Sequence, residues 1–117
     1  MVQSAAGLVP ELTPRDAHER VASGAHLLDV REPLEWEAGH APGARHVPLG
    51  SLTHHVHSLP VDADLLVVCR SGGRSVLAAT ALQGAGFRAI NVAGGMQSWE
   101  EAGLPVVTDA GTPGCVL

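Results

Sequence analysis

The chain has no lysine and no tyrosine, and only one phenylalanine, two tryptophans and two cysteines among its 117 residues. Because aromatic residues make up only 3% of the chain, its core has to be built mainly from leucine, valine and alanine. Two cysteines are too few for a disulfide-built scaffold, so we expect a reducing compartment. All seven cationic residues are arginine, which codon usage in a GC-rich genome explains more readily than function does.

The charge balance and the lack of long apolar runs argue against two kinds of partner. The net charge is −5, which disfavours binding to a polyanion such as nucleic acid. No run approaches the roughly 18 apolar residues of a membrane span. The first 30 residues also lack a basic segment followed by an apolar core. We therefore expect a soluble, cytoplasmic protein with no nucleic-acid or membrane partner.

The length of 117 residues and a hydrophobic content of 45% fit a single domain with a modest core. Predicted strands alternate with predicted helices, which implies parallel pairing with helices on both faces of a sheet. The fold class is therefore α/β, with a central parallel sheet of four or five strands. Strands are predicted at residues 27–30, 44–47, 65–68 and 89–92, with 11–12 as an edge strand, and helices at 14–23, 34–38, 51–59, 76–82 and 96–102. We place the domain at residues 8–108, with an N-terminal extension at 1–7 and a flexible C-terminal tail at 109–117.

The segment LLVVCRSGGRS, residues 65–75, is the most informative part of the chain. Its apolar run at 65–68 is half β-branched, which predicts a strand buried on both faces. The following VLAATAL, residues 76–82, is apolar almost all round and predicts a helix with little surface in water. Cys69 thus lies at the carboxyl end of a strand, where open parallel sheets bind their ligands.

The loop after Cys69 has features that favour a thiolate over a thiol. Gly72 and Gly73 permit positive φ and can turn successive N–H groups towards the sulfur. The positive end of the following helix acts in the same direction, as do the cations Arg70 and Arg74. Cys69 is therefore a candidate nucleophile that needs no neighbouring base. The alternative is a buried structural cysteine beside an ordinary strand-to-helix turn.

Three segments occur in a fixed order: LLDVREPLEWEAGHAPGARHVPLG at 27–50, CRSGGRS at 69–75 and VAGGMQSWEEAGLPV at 92–106. They resemble the first signature, the active loop and the closing signature of the single-domain rhodaneses, the thiosulfate sulfurtransferase-like family. The resemblance implies a rhodanese-like fold and a sulfurtransferase that needs no cofactor and no metal. It also implies that Cys69 accepts a sulfane sulfur from thiosulfate or a persulfide. The sulfur then passes to a thiophilic acceptor such as cyanide or a thiol, or to a protein.

The physical interpretation and the resemblance agree on a mechanism. The thiolate attacks the outer sulfur of thiosulfate, sulfite leaves, and a Cys69 persulfide forms. Sulfite leaves without protonation, which explains why the motif contains no general acid. Arg70 would attract the anionic donor, whereas Arg74 either touches the substrate or forms a structural ion pair, as its family equivalent often does. The substrate-binding residues are expected to be the rest of the loop: Arg70, Ser71, Gly72, Gly73, Arg74 and Ser75.

A related loop serves the cysteine phosphatases, and its length distinguishes the two. Those enzymes have the pattern C-x5-R, whereas only four residues separate Cys69 from Arg74 here. The shorter loop should fit a sulfur atom better than a tetrahedral phosphate. The spacing therefore counts against phosphatase or arsenate reductase activity.

Other polar residues outside the loop have structural interpretations. Asp29 is expected to pair with Arg31, or alternatively with Arg74. His54 and His57 would share one face of a helix, but no third ligand is marked. We therefore expect a solvated helix face there and no metal site.

Cys115 and the identity of the acceptor leave alternatives open. Cys115 lies in a Gly-Thr-Pro-Gly tail of a kind that is usually disordered. If the tail reaches Cys69, Cys115 would act as a resolving thiol or as the next sulfur carrier. The whole protein is either an enzyme that turns over alone or a non-catalytic persulfide carrier or sensor module for a protein partner. Turnover without a partner distinguishes these two functions.

Overall fold

The computed structural model describes residues 8–117, so the predicted N-terminal extension at 1–7 lies outside the described residues. Strands and helices alternate along the chain, as the sequence predicts. In chain order they are β1 Glu11–Leu12, α1 Pro14–Ala22, β2 His26–Asp29, α2 Pro33–Ala38, β3 Arg45–His46, α3 Leu52–His55, β4 Asp64–Val68, α4 Gly73–Gly84, β5 Arg88–Val92 and α5 Gly95–Glu101.

The five strands form one sheet in the order β1-β5-β4-β2-β3. Every strand pair is parallel. The predicted α/β class is therefore confirmed, with five strands, because the short segment at 11–12 does pair at the edge. β4 is the central strand, and its carboxyl end leads directly to Cys69.

The core forms two layers, one on each face of the sheet. Alternate side chains of β4 point to opposite faces, so Leu65 and Val67 join one cluster and Leu66 and Val68 the other. On the first face the sheet packs against α4 through Ala78, Ala79 and Leu82. On the second face it packs against α1 and α5 through Ala17, Met96 and Trp99. Helices on both faces bury the last four residues of β4, 65–68, as its apolar run predicts, whereas Asp64 at its start is only partly buried.

The first helix begins as the sequence indicates. The Thr13 hydroxyl accepts a hydrogen bond from the Asp16 N–H at 3.2 Å, and Pro14 occupies the first helical position. Gly24, just beyond the helix, has a φ of 112°. A positive φ is easily reached only by glycine, so this residue redirects the chain into β2.

Two predictions of helical structure need correction. Residues 51–59 do not form one helix, since only α3 is α-helical, and 3₁₀ turns at Leu49–Ser51 and Val56–Ser58 flank it. The second correction concerns α4, which is not covered all round. It buries one face against the sheet and leaves Leu77 65% exposed, because no element within residues 8–117 packs on its outer side. Over residues 8–117, none of the helices has the length and apolar content needed to cross a membrane.

The segment after α5 returns to the domain. Val107 forms isolated antiparallel bridges with His40 and with Pro113. The Cys115 N–H then donates to the main-chain oxygen of Ala38 at 2.9 Å. The division into a domain at 8–108 and a flexible tail at 109–117 stays a prediction, but the predicted tail lies against the domain. Residues 113–117 are called the C-terminal strap below.

Candidate active site

The loop between β4 and α4 wraps its backbone around the Cys69 sulfur. Gly72 has a φ of 111°, which only glycine adopts without strain, and its N–H lies 3.1 Å from Cys69 Sγ. The Ser75 hydroxyl, in the first turn of α4, lies 3.3 Å from the same sulfur. The sequence therefore brings a main-chain donor and a side-chain donor to one atom.

These donors determine the protonation of the thiol. Burial raises the pKa of Cys69, but hydrogen bonds from the Ser75 hydroxyl and from the main-chain N–H groups of Ser75, Gly72 and Ser71 outweigh burial and lower it below its ordinary value. Cys69 is only 1% exposed. The site thus favours a thiolate at the base of a narrow cradle, without a neighbouring base.

The N-terminus of α5 supports the loop from behind. The N–H of Met96 donates to the Cys69 oxygen at 2.7 Å, and the N–H of Gln97 donates to the Arg70 oxygen at 2.9 Å. Gly95 has a φ of 61°, and a Cβ there would overlap the main-chain oxygens of Cys69 and Arg70. The lack of a side chain at Gly95 therefore lets α5 approach the loop backbone closely.

Arg74 forms an ion pair away from the sulfur. Its two Nη atoms lie 2.7 and 2.8 Å from the carboxylate oxygens of Glu35 in α2. The Arg74 hydrogen bond holds the pKa of Glu35 at about 2. Asp29 pairs with Arg31 at 2.8 Å, both side chains fully buried, so the alternative pairing of Asp29 with Arg74 is wrong. Two roles were predicted for Arg74, a contact with the substrate and a structural ion pair. Its contacts with Glu35 are those of a structural ion pair.

Arg70 turns towards the C-terminal strap. Its side chain is exposed, and its Nε donates to the main-chain oxygen of Leu117 at 2.6 Å. The N–H groups that lower the pKa of Cys69 come from Ser71, Gly72 and Ser75. The predicted loop is thus present as a unit, but its donors are main-chain groups and one hydroxyl, while both arginine side chains have other partners.

Glu35 is the residue that sequence reasoning missed. The signal for its local position was present, because Pro33 opens α2 and Glu35 is the third helical residue, where a carboxylate can cap the helix. Its Oε1 accepts the Glu32 N–H at 3.0 Å. Nothing in the sequence identified Arg74, which is 39 residues away, as its partner.

Metal-ligating side chains are not gathered at this site. Among residues 8–117, no group of three or more histidine, cysteine, aspartate or glutamate side chains is placed to hold a metal ion.

A parallel α/β sheet that presents a cysteine thiolate to a cradle of N–H groups defines a domain suited to nucleophilic cysteine chemistry. The model of the rhodanese-like domain family matches residues 13–102 of this chain. The chain therefore belongs to the rhodanese-like domain family, and the resemblance found in the sequence is confirmed.

Similar proteins carry sulfur-transfer names. Thiosulfate sulfurtransferase GlpE of Pseudomonas putida is 38% identical over 102 residues, covering 86% of this chain and 92% of that protein. The putative sulfur carrier protein YrkF of Bacillus subtilis is 36% identical over 97 residues, covering 80% of this chain but only 52% of that protein. The solved structure of a rhodanese-related protein from Thermoplasma volcanium is 33% identical, with a TM-score of 0.81, covering 86% of this chain and 99% of that one.

Proposed function

We propose that this protein is a sulfurtransferase that moves sulfane sulfur from thiosulfate or a persulfide to a thiophilic acceptor through a Cys69 persulfide. One observation carries the proposal: Cys69 Sγ lies 3.1 Å from the Gly72 N–H and 3.3 Å from the Ser75 hydroxyl, in a loop that lowers its pKa. Such donors stabilise negative charge on the first sulfur and on a second sulfur bound to it. The sulfurtransferase name of the Pseudomonas putida relative supports the same assignment.

The first half-reaction needs no proton transfer. The Cys69 thiolate attacks the outer sulfur of thiosulfate, a new S–S bond forms, and the old S–S bond breaks with its electron pair leaving on sulfite. In the second half-reaction cyanide attacks the outer sulfur of the persulfide and leaves as thiocyanate, which restores the thiolate. A thiol acceptor would take the same sulfur as its own persulfide. The leaving groups are sulfite in the first step and the Cys69 thiolate in the second. Neither needs a proton in order to depart, so the mechanism requires no general acid.

The contacts of Arg74 support sulfur over phosphate as the transferred group. A phosphatase needs an arginine that faces the phosphate, whereas Arg74 here is bound through both Nη atoms to Glu35. These contacts and the short C-x4-R spacing favour sulfur transfer.

A reducing compartment such as the cytoplasm fits this proposal, because both cysteines are free thiols and a reactive thiolate is preserved only where disulfides are disfavoured. The partners that we propose are small sulfur donors and acceptors, including thiosulfate, cyanide and thiols. A protein acceptor is compatible with the same chemistry.

The mass of the intact protein after a brief incubation with thiosulfate tests the proposal. A gain of about one sulfur mass, lost on addition of cyanide and absent in Cys69→Ser, is the expected result. Cys115→Ser is the matched control, because it removes the other, exposed thiol and should still load. No gain with thiosulfate or with glutathione persulfide would contradict a sulfurtransferase that acts alone.

A second candidate is a persulfide carrier that loads and discharges only with a protein partner. The name of the Bacillus subtilis relative, a putative sulfur carrier protein, favours it. The 1% exposure of Cys69 also fits a sulfur that a partner has to uncover. Steady production of thiocyanate from thiosulfate and cyanide by the purified chain would exclude this candidate as the whole function.

A further inference from the structure

The C-terminal strap, residues 113–117, is hydrogen-bonded to the domain at several points. The Gly114 N–H donates to the Val106 oxygen at 2.9 Å, and the Cys115 N–H donates to the Ala38 oxygen at 2.9 Å. Further along, the Val116 N–H lies 3.1 Å from Glu100 Oε2. The strap therefore runs from the end of α2, past α5, towards the loop that holds Cys69. The family match ends at residue 102, so the strap lies outside the shared domain.

Two glycines allow the strap to pack closely against the end of α2, because they have no side chain. A Cβ on Gly39 would lie 2.6 Å from the Cys115 nitrogen, and a Cβ on Gly114 would lie 2.8 Å from the Gly39 Cα. The φ of Gly39 is 162°, an extended value that any residue adopts. Gly114 also has no left-handed φ. Glycine is therefore required at both positions by the close approach of two backbones, which indicates a specific seat for the strap.

The end of the strap contacts the active-site loop directly. The Leu117 main-chain oxygen accepts a hydrogen bond from Arg70 Nε at 2.6 Å, and Arg70 immediately follows Cys69. The side chain of Val116 packs against the second core cluster, which anchors the strap one residue earlier. Arg74 is neutralised by Glu35. Arg70 is thus the loop cation that the strap contacts.

We propose that the C-terminal strap is a specificity-determining element that disfavours anionic reagents at Cys69 by holding Arg70 on the Leu117 oxygen. With the strap in place, the guanidinium is held on the Leu117 oxygen and is not free to pair with an approaching anion. With the strap displaced, Arg70 is released to attract a donor such as thiosulfate, while a neutral reagent gains nothing from it. This inference rests on the proposed role of Cys69 as the reacting thiol.

Alkylation of Cys69 by two reagents of different charge tests the proposal. In a Cys115→Ser background, Cys69 is the only thiol, and its rate constants with anionic iodoacetate and neutral iodoacetamide are measured separately. Gly114→Ala adds a Cβ that the strap has no room for, and deletion of residues 113–117 removes the strap outright. Gly50→Ala is the matched control, because a Cβ there meets nothing within 4 Å.

We expect the ratio of the iodoacetate to the iodoacetamide rate constant to rise about threefold in Gly114→Ala and in the deletion, the effect of one surface charge moved by several ångströms. Gly50→Ala should leave the ratio unchanged. When Arg70→Gln is added, the rise should vanish. A ratio that stays constant or falls in the deletion would overturn the proposal. An equal acceleration of both reagents would also overturn it, since that result would make the strap only a cover.

This assay and the sulfur-loading assay fail independently. If the alkylation ratio rises but the protein never gains a sulfur, the proposal about the strap stands and the proposed sulfurtransferase function is contradicted. If the protein gains a sulfur but the alkylation ratio does not depend on the strap, the proposed function stands and the proposal about the strap is contradicted.

Discussion

Replacement of Ser75 by alanine tests the hydrogen bonding that stabilises the Cys69 thiolate. The Ser75 hydroxyl lies 3.3 Å from Cys69 Sγ and 3.2 Å from the main-chain oxygen of Gly72. A hydroxyl has a single hydrogen to donate, and a thiolate attracts it more strongly than a neutral carbonyl does. Ser75→Ala removes this donor, so we expect the pKa of Cys69 to rise.

The size of the rise follows from the site. A hydrogen bond to a charged group contributes about 1.5–3 kcal/mol, which is the range of thiolate stabilisation that the Ser75 hydroxyl can supply. Ser75 is fully buried, so water cannot easily replace the lost donor. The Gly72 N–H remains 3.1 Å from the sulfur, however, and the Ser75 contact of 3.3 Å is the longer of the two. We therefore expect a loss of thiolate stabilisation near the lower limit of that range, about 1.5 kcal/mol, and with it a rise in the pKa of Cys69.

The pKa is measured from the rate at which iodoacetamide alkylates Cys69 between about pH 5 and about pH 10, in a Cys115→Ser background. The midpoint of the curve of rate against pH gives the pKa of Cys69. Ser71→Ala is the matched control, because Ser71 acts on the sulfur through its main-chain N–H, which alanine retains. We expect the midpoint to rise in Ser75→Ala and to stay in place in Ser71→Ala. An unchanged midpoint in Ser75→Ala would refute the role given to the hydroxyl.

Three further predictions concern the residues around the loop. Glu35→Gln removes the charge that binds Arg74. The fall in the pKa of Glu35 from 4.5 to about 2 corresponds to about 3.4 kcal/mol, and solvent screening at the 35% exposed Arg74 reduces this stabilisation. We therefore expect the substitution to lower the free energy of unfolding by about 1–2 kcal/mol, measured by urea unfolding at about pH 7. Gly95→Ala places a Cβ against the loop backbone and should slow sulfur loading at least about tenfold in the mass assay. Arg31→Leu leaves the buried Asp29 carboxylate unpaired and should lower the free energy of unfolding by about 3–5 kcal/mol.

Each of these predictions has a result that contradicts it. Because the pKa of Glu35 is lowered in the folded state, the pair stabilises the fold above about pH 4.5 and loses this effect as the pH falls towards 2. The deficit of Glu35→Gln should therefore shrink between about pH 7 and about pH 3, and a constant deficit would contradict the assignment. For Gly95, the control is Gly84→Ala, where a Cβ meets nothing within 4 Å, and equal loading by both variants would be inconsistent with close packing of α5. A loss below about 1 kcal/mol in Arg31→Leu would mean that Asp29 finds another partner.

The central strand and its loop were predictable because their signals are local. Four apolar residues ending at Cys69 indicate a strand buried on both faces, and the glycine pair beyond it allows the turn that directs N–H groups to the sulfur. Thr13-Pro14 likewise indicates the start of α1 through capping alone. Each of these features depends on residues a few positions apart, so no knowledge of the tertiary structure is needed.

The extent to which α4 is buried was not predictable from local signals. Its composition is apolar almost all round, yet the structure buries only the face that includes Ala78 and Leu82 and leaves Leu77 exposed. Composition reports which residues can be buried, whereas burial also requires a neighbouring element on that side. The segment at 51–59 differed because its residues are weak helix formers: Thr53, Val56 and three histidines have low helix propensity, and only Leu52–His55 is α-helical.

The sequence by itself determined the parallel α/β architecture, the position of Cys69 at the end of a central strand, and the main-chain donors of its loop, because hydrophobic period, capping and glycine spacing act over short distances. Only the tertiary structure decided which carboxylate neutralises Arg74 and where Arg70 points. The sequence offered Asp29 as a partner of Arg74 and gave no sign of Glu35, and the Gly-Thr-Pro-Gly composition of the tail indicates disorder. The outcome depends on contacts between residues that lie 39 and 47 positions apart, and these contacts exist only once the sheet and its helices have packed.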